Sequence, residues 1–268
     1  MGLKRRPSLR NPRPSGRDRA SSLRSLGVPA IAVNPDWGLV ERRLRALLPA
    51  RSVVAKRQEL LAYDCDGLTL HRHQPPLVVL PETTDEVAAV VRLCNELQVP
   101  FIARGSGTGL SGGALAEQPA LVIATSRMRR VIAIDLPNER ITVEPGVINS
   151  WVTRAVAGDG FYYAPDPSSQ VACSIGGNVA ENSGGVHCLK YGVTSNHVRS
   201  MEVVLPDGTE FHGRAVGFRY LMRHGQQSLR GPHFNTAAQA EDASQPDSAA
   251  RSANSRASLA LLLPTQLA

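Results

Sequence analysis

The stretch Ala103–Gly113, "ARGSGTGLSGG", decides the fold, because from Gly107 it spells a literal G-x-G-x-x-G. In a Rossmann unit the last glycine of that spelling opens a helix along the sheet. An acidic residue about 20 positions further on then holds a ribose. Neither feature follows here. The chain continues "GALAEQPALVIATSRM", where Pro119 stops any helix begun near Gly112 and Leu121–Ala124 reads as a strand. Thr125, Ser126 and Arg127 stand where the ribose acid belongs. The Rossmann reading fails on context. A backbone-lined anion loop survives, since five glycines in the nine residues after a strand let successive N–H groups converge on a phosphate. A plain surface loop is the alternative that composition leaves open.

The 268 residues suffice for one large domain or two modest ones. A hydrophobic content of 42% and a charged content of 20% describe a globular chain, and no apolar run approaches the ~20 residues of a bilayer span. Cys65, Cys94, Cys173 and Cys188 are widely spaced and form no C-x-x-C pair, so reduced thiols in a cytoplasmic compartment are expected. The net charge of +7 is uneven. Residues 1–57 carry 14 Lys/Arg against 3 Asp/Glu, and the remainder 16 against 20. Residues 1–35 therefore read as a disordered basic leader. It could be attracted to nucleic acid or anionic lipid, serve as a transit-like presequence, or be merely solvated. The absence of an amphipathic period, interleaved aromatics and a binding motif favours the last, so no nucleic-acid partner is expected.

The folded part alternates element types. Leu39, Val40, Leu44, Leu47 and Leu48 share one face of a helix that starts at Trp37 and ends before Pro49. "LVVLP" at 77–81 is a strand, followed by a helix with a capping box from Thr83 to Glu86 and a second strand in "VPFIAR". That is a βαβ crossover with parallel strands. Next come "LVIAT", "RVIAIDL" and "RITVEPG", the latter two forming a hairpin through Pro137-Asn138. A short helix runs from Asn149 or Ser150 to Gly158, and "MEVVLPDGTEFHG" is a hairpin turning at Pro206-Asp207-Gly208. Parallel and antiparallel pieces mixed in this way make an α+β domain.

Tyr162–Gly192, "YYAPDPSSQVACSIGGNVAENSGGVHCLKYG", is too rich in glycine, serine and asparagine for a conventional core element. It offers many N–H, hydroxyl and amide groups to a polar ligand. Two such loops separated by strands suit a long ligand held at several points, and a dinucleotide is the natural candidate.

Together with "YDCDGL" at Tyr63–Leu68, the two loops make the chain resemble the FAD-binding flavoproteins of the vanillyl-alcohol-oxidase type, from about Leu47 to Gly213. Within that type it is similar to the flavin subunit of glycolate oxidase and the D-lactate dehydrogenases. The resemblance implies a two-subdomain FAD-binding domain over residues 36–217, a βαβ-containing subdomain joined to a mixed or antiparallel sheet. It implies that Gly105, Ser106, Gly107, Thr108 and Gly109 wrap the FAD diphosphate. Pro165, Asp166, Pro167, Ser168 and Ser169, with Ser174, Gly176, Gly177 and Asn178, would line the flavin and diphosphate, and Asn182, Gly184 and Gly185 would continue the wall. The first loop holds no histidine, so non-covalent FAD is expected. The implied activity is oxidation of a 2-hydroxy acid of the glycolate or D-lactate class, with hydride passing to flavin N5. Implied partners are an iron–sulfur subunit, a second flavin subunit or a membrane quinone, with at most peripheral attachment to the inner membrane.

The resemblance stops near Gly213. Family members complete the FAD domain and add a cap carrying the substrate arginine and catalytic histidines. Residues 218–268 here have no sustained period and a disordered composition. A truncated chain with a non-native tail, no cap, an unfilled sheet edge and impaired turnover is therefore expected, and the catalytic residues stay unassigned. A non-catalytic FAD-binding or subunit-assembly fragment is the alternative. Among single residues, His71 and His73 find no third metal ligand in the sequence, so no metal site is expected. Cys173 and Cys188 read as packing residues, Asp166 as a turn-former, and Lys190 as either a charge beside the flavin or a solvated side chain.

Overall fold

A computed structural model describes residues 35–116, 118–214 and 259–262. The basic leader and most of the tail lie outside these residues. Asp36 caps the first helix, α1 (Trp37–Leu47), by accepting from the Leu39 N–H at 3.0 Å, and Leu48 ends it in extended geometry before Pro49. Two short strands follow, β1 (Val53–Val54) and β2 (Leu77–Val79), with the one-turn helix α2 (Arg57–Leu60) between them. The long helix α3 (Thr84–Glu96) then leads to β3 (Phe101–Arg104) and, past the glycine loop, to β4 (Leu121–Ala124). At the head of α3, Thr83 Oγ1 accepts from the Glu86 N–H. The Glu86 carboxylate reaches one residue past the cap, accepting from the Glu82 N–H at 2.6 Å.

The strands form a sheet in the order β1-β2-β4-β3, with β2, β4 and β3 parallel and β1 antiparallel. The crossover from β2 to β3 is thus parallel, as the spacing predicts. β4 inserts between them, although its position in the sequence grouped it with the later antiparallel strands. The insertion follows from burial: "LVV" and "LVIA" are buried at every position, as a central parallel strand covered on both faces requires. Alternate residues serve different faces. Leu77, Val79, Leu121 and Ile123 pack on Val40 and Leu44 of α1 and Val90, Val91 and Cys94 of α3. Val78, Val122 and Ala124 point the other way, to Leu60, Ala116 and Ala120.

The second sheet is antiparallel throughout and sets β5 (Val131–Asp135), β6 (Arg140–Val143), β7 (Val198–Val204), β8 (Glu210–Arg214) and β9 (Leu259–Leu262) in the order β5-β6-β9-β7-β8. β5 (Val131–Asp135) and β6 (Arg140–Val143) make the expected hairpin, with Glu139 in the left-handed region after Pro137-Asn138. β7 (Val198–Val204) and β8 (Glu210–Arg214) make the other hairpin. Asn95 of α3 docks on it by donating to the Pro206 carbonyl at 2.7 Å. Ile141, Val143, Val198 and Met201 cover a core with Val152 and Val156 of α4 (Asn149–Val156). The helix ends at Val156 and a 3-10 turn carries the chain on to Gly160, with φ +81°, two residues beyond the Gly158 stop expected from the sequence. Glu144 is fully buried, its carboxylate accepting from the Arg130 N–H and side chain.

Two expectations change here. Residues 218–268 read as structureless. Instead Leu259–Leu262 forms β9 between β6 and β7, pairing Arg140 with Leu262 and Met201 with Leu259. β6 and β7 each present unpaired backbone groups, and four successive apolar residues from the tail satisfy both rows. The second change concerns "IGGNVAE": despite its glycines it forms a helix, α5 (Ile175–Glu181), whose Ile175 is buried in the second core. The chain completes with α6 (Cys188–Tyr191) and α7 (Thr194–His197), one turn each.

The packing sets a contrast in stability. Leu121→Ala opens a cavity in the centre of the parallel sheet and should lower the unfolding free energy by about 3 kcal/mol in urea titrations. Val131→Ala on the exposed strand β5 should change it by less than about 0.5 kcal/mol. Equal losses at the two positions would contradict this arrangement of the cores.

Candidate cofactor site

β3 delivers the first glycine loop at its carboxyl end, where open α/β sheets place ligands. No helix follows before β4 among the described residues, in keeping with the failed Rossmann reading. Behind the loop runs a strap, Tyr63–Leu68, whose role the sequence did not disclose. Asp66 accepts from the Gly112 N–H at 3.0 Å through one carboxylate oxygen and from the Leu68 N–H at 2.9 Å through the other. The Gly67 N–H donates to the Gly109 carbonyl at 2.9 Å. Arg104, the last residue of β3, donates to the Cys65 carbonyl at 2.8 Å. The strap therefore fixes both ends of the loop's turn, and Gly107 crosses it with φ +70°, a conformation that glycine adopts without strain.

The two glycine-rich loops meet. A Cβ on Gly105 would lie 2.6 Å from Ser174 Oγ and 3.5 Å from the Gly177 backbone, so a side chain there would push the serine hydroxyl aside where the end of β3 meets the start of α5. Ser111 Oγ donates to the Glu181 carboxylate at 3.2 Å from the far side of the loop, bracing α5 at its other end. Ser174 stands at the N-cap of α5, yet its hydroxyl makes no capping bond. Oγ is buried without a hydrogen-bond partner, as is Asn178 Nδ2 one turn later. Orphaned polar atoms of this kind, beside backbone that a side chain would fill, fit a phosphate-bearing cofactor seated along the junction.

The structure sorts the remaining expected residues. Ser106, Gly107, Thr108 and Gly109 form the outer turn of the first loop, held by the strap. Pro165, Asp166 and Pro167 form a turn anchored by Asn149 Nδ2, which donates to the Pro165 carbonyl at 3.0 Å. Ser168 is exposed, and the Ser169 carbonyl accepts from the Ala172 and Cys173 N–H groups. Gly176 lies against Pro145, Gly184 against the Cys188 sulfur, and Gly185 against the Asp166 carbonyl. These three glycines have a reason for their identity within the protein itself. Asn182 ends α5 with φ +50° and accepts the Ser195 N–H on its side-chain oxygen.

Asp166 does more than form its own turn. Its carboxylate accepts from the His187 N–H at 3.3 Å and faces His187 Nδ1 at 2.6 Å, tying the Pro-Asp-Pro turn to the second glycine pair. The sequence places His187 beside the second loop but does not disclose its pairing with Asp166, because the partners lie 21 residues apart. Lys190 is exposed, with Nζ 4.9 Å from the Tyr191 ring centre, and Tyr191 meets Tyr162 edge to face at 6.0 Å. All four cysteines are free. Burial pushes the Cys173 thiol up, as befits a packing residue. His71 and His73 gain no third ligand among the described residues. Glu202, Glu210 and His212 do come together on the β7–β8 hairpin, but Arg92 already stands 3.8 Å from Glu210. Contact with Tyr162 and then Lys190 lowers the Tyr191 phenol below its ordinary value, while burial takes Tyr162 to about 12. Raising the pH should therefore give an early phenolate absorbance step that Tyr191→Phe removes. A step unchanged by that substitution would contradict the pairing.

The family model described as FAD binding domain matches residues 75–214, which include both glycine loops. The glycolate oxidase subunit GlcD of Escherichia coli (strain K12) is 47% identical over 165 residues, covering 62% of this chain and 33% of that protein. A D-lactate dehydrogenase of Anaerostipes hadrus is 39% identical over 135 residues, covering 50% of this chain and 28% of the relative. The chain thus spans about a third of the length of these curated relatives. Among solved structures, p-cresol methylhydroxylase with substrate bound aligns with a TM-score of 0.64 at 21% identity, covering 86% of this chain and 44% of that one. That likeness establishes the fold as the vanillyl-alcohol-oxidase type. No described helix is long and apolar enough to cross a membrane. The orphaned hydroxyl, the loop junction and the matched span agree on one cofactor, and the chain belongs to the FAD binding domain family.

Proposed function

We propose that this chain is the FAD-holding part of a flavoprotein that oxidises a 2-hydroxy acid of the glycolate or D-lactate class to the 2-oxo acid. The observation that carries the reading is the junction of the loops, where Gly105 lies against Ser174 and Gly177 and the Ser174 hydroxyl beside it is buried without a partner. The likeness to proteins named glycolate oxidase subunit and D-lactate dehydrogenase supports the substrate class. In this reading FAD, when bound, supplies the two-electron acceptor for the substrate. The chain's own residues bind and orient it. N–H groups of Gly105–Gly109 face the diphosphate, and Ser174 and Asn178 contribute the polar atoms now without partners. Ser168, Ser169 and the turn at Pro165–Pro167 border the ring system, with Gly176, Gly177, Asn182, Gly184 and Gly185 shaping the wall. The hold is non-covalent, since the first loop offers no histidine as an attachment point. Residues 36–217 make up this domain, and it works beside partner subunits, as the subunit name of the Escherichia coli relative suggests.

The test begins with the purified chain and FAD, followed by flavin fluorescence. Saturable binding is expected, and Gly105→Val should weaken it at least tenfold, about 1.4 kcal/mol, by forcing the loops apart. No binding, or unchanged binding in Gly105→Val, would overturn the reading. Anaerobic glycolate or D-lactate added to the loaded protein then separates an oxidising domain, whose flavin absorbance bleaches, from one that only holds the cofactor.

A further inference from the structure

Arg104 closes β3 beneath the first glycine loop and is 6% exposed. Its guanidinium donates to the Cys65 carbonyl at 2.8 Å and the Ala114 carbonyl at 3.2 Å, and Cζ lies 5.7 Å from the centre of the Tyr63 ring. A Cβ on Gly107 would stand 2.3 Å from one of its nitrogens, so the cation lies directly against the backbone of the loop. Each of these partners is neutral. Among the described residues no carboxylate comes within ion-pair distance. Asp64 pairs with Arg72, and Asp66 is taken up by the N–H groups of Leu68 and Gly112.

Such a cation is unfavourable where it stands. Withdrawing a guanidinium from water is costly, and carbonyls, a ring and carboxylates engaged elsewhere return only part of that cost. Burial accordingly pulls the Arg104 pKa down, against the attraction of Cys65, Tyr63, Asp66 and Asp64. An arginine serving packing alone would be replaced at lower cost by an apolar side chain of similar length. The arrangement suits an anion on the opposite side of the loop, reached through the backbone at Gly107.

We propose that Arg104 is a built-in counter-charge for the diphosphate of the bound dinucleotide, a positioning residue that holds the loop through Cys65 and Ala114 and makes its N–H face electropositive. This deepens the proposed function and rests on the FAD reading. It concerns the diphosphate alone, so the ring system should not sense the residue.

The experiment compares FAD, ADP, inorganic pyrophosphate and riboflavin on the full chain and on Arg104→Gln and Arg104→Lys. Arg104→Gln should weaken FAD and ADP by roughly tenfold or more, the size of one charge-assisted interaction, and leave riboflavin unchanged. It should also flatten the salt dependence of ADP binding, while Arg104→Lys recovers part of the affinity because it keeps the charge. Equal losses for ADP and riboflavin, or no loss for either, would overturn the proposal while the FAD reading stands. Failure of the unaltered chain to bind FAD would overturn the FAD reading instead. If Arg104→Gln does not fold, the unaltered chain decides the matter. Pyrophosphate should raise its unfolding temperature above that in chloride of equal ionic strength, and no such rise would contradict the counter-charge.

Discussion

The structure depends on one close approach: backbone at Gly105, leaving the parallel sheet, lies against Ser174 and Gly177 at the head of α5. Steric exclusion rather than attraction defines this contact. A Cβ on Gly105 would displace the serine hydroxyl, so the two loops approach most closely while that position stays bare. The seam exists because each loop is fixed from behind, the first by the strap Tyr63–Leu68 and the second by the core that buries Ile175. A cofactor laid along it meets main chain from two sheets whose strands run in different patterns.

The polar atoms around the seam differ in how they are satisfied. Asp66 engages its carboxylate on backbone N–H groups and Asp166 on the N–H and ring nitrogen of His187, converting charge into loop geometry. Ser174 Oγ and Asn178 Nδ2 stay unpaired, and Arg104 keeps a charge with only neutral partners. Burying such groups opposes folding of the empty domain, and a ligand with complementary groups relieves the cost on binding. Site and stability are thus coupled.

Elements governed by local periodicity were legible in the sequence: α1 with its Pro49 stop, α3 with Thr83 at its head, and the hairpins turning at Pro137-Asn138 and Pro206-Asp207-Gly208. Both glycine loops were legible by composition, and the long second one through its resemblance to a flavoprotein motif. What escaped depends on distant partners. β4 looks like its antiparallel successors until both neighbouring strands are known, and β9 is four apolar residues whose pairing needs β6 and β7. The helix Ile175–Glu181 contradicts glycine's low propensity because tertiary packing of Ile175 outweighs it. The long-range contacts of Arg104, Asp66 and His187 carry no local signal, since Arg104 reaches backbone 10 and 39 residues away, Asp66 the Gly112 N–H 46 residues on, and His187 the Asp166 carboxylate 21 residues back.

Hydrogen–deuterium exchange with and without FAD tests the shared seam most directly. If one cofactor spans both loops, FAD should slow exchange together at 105–113 and 174–185, with the strap at 63–68 following, while β5 and α1 stay unchanged. Protection confined to a single loop, or spread evenly over the domain, would contradict a site made where the two loops meet.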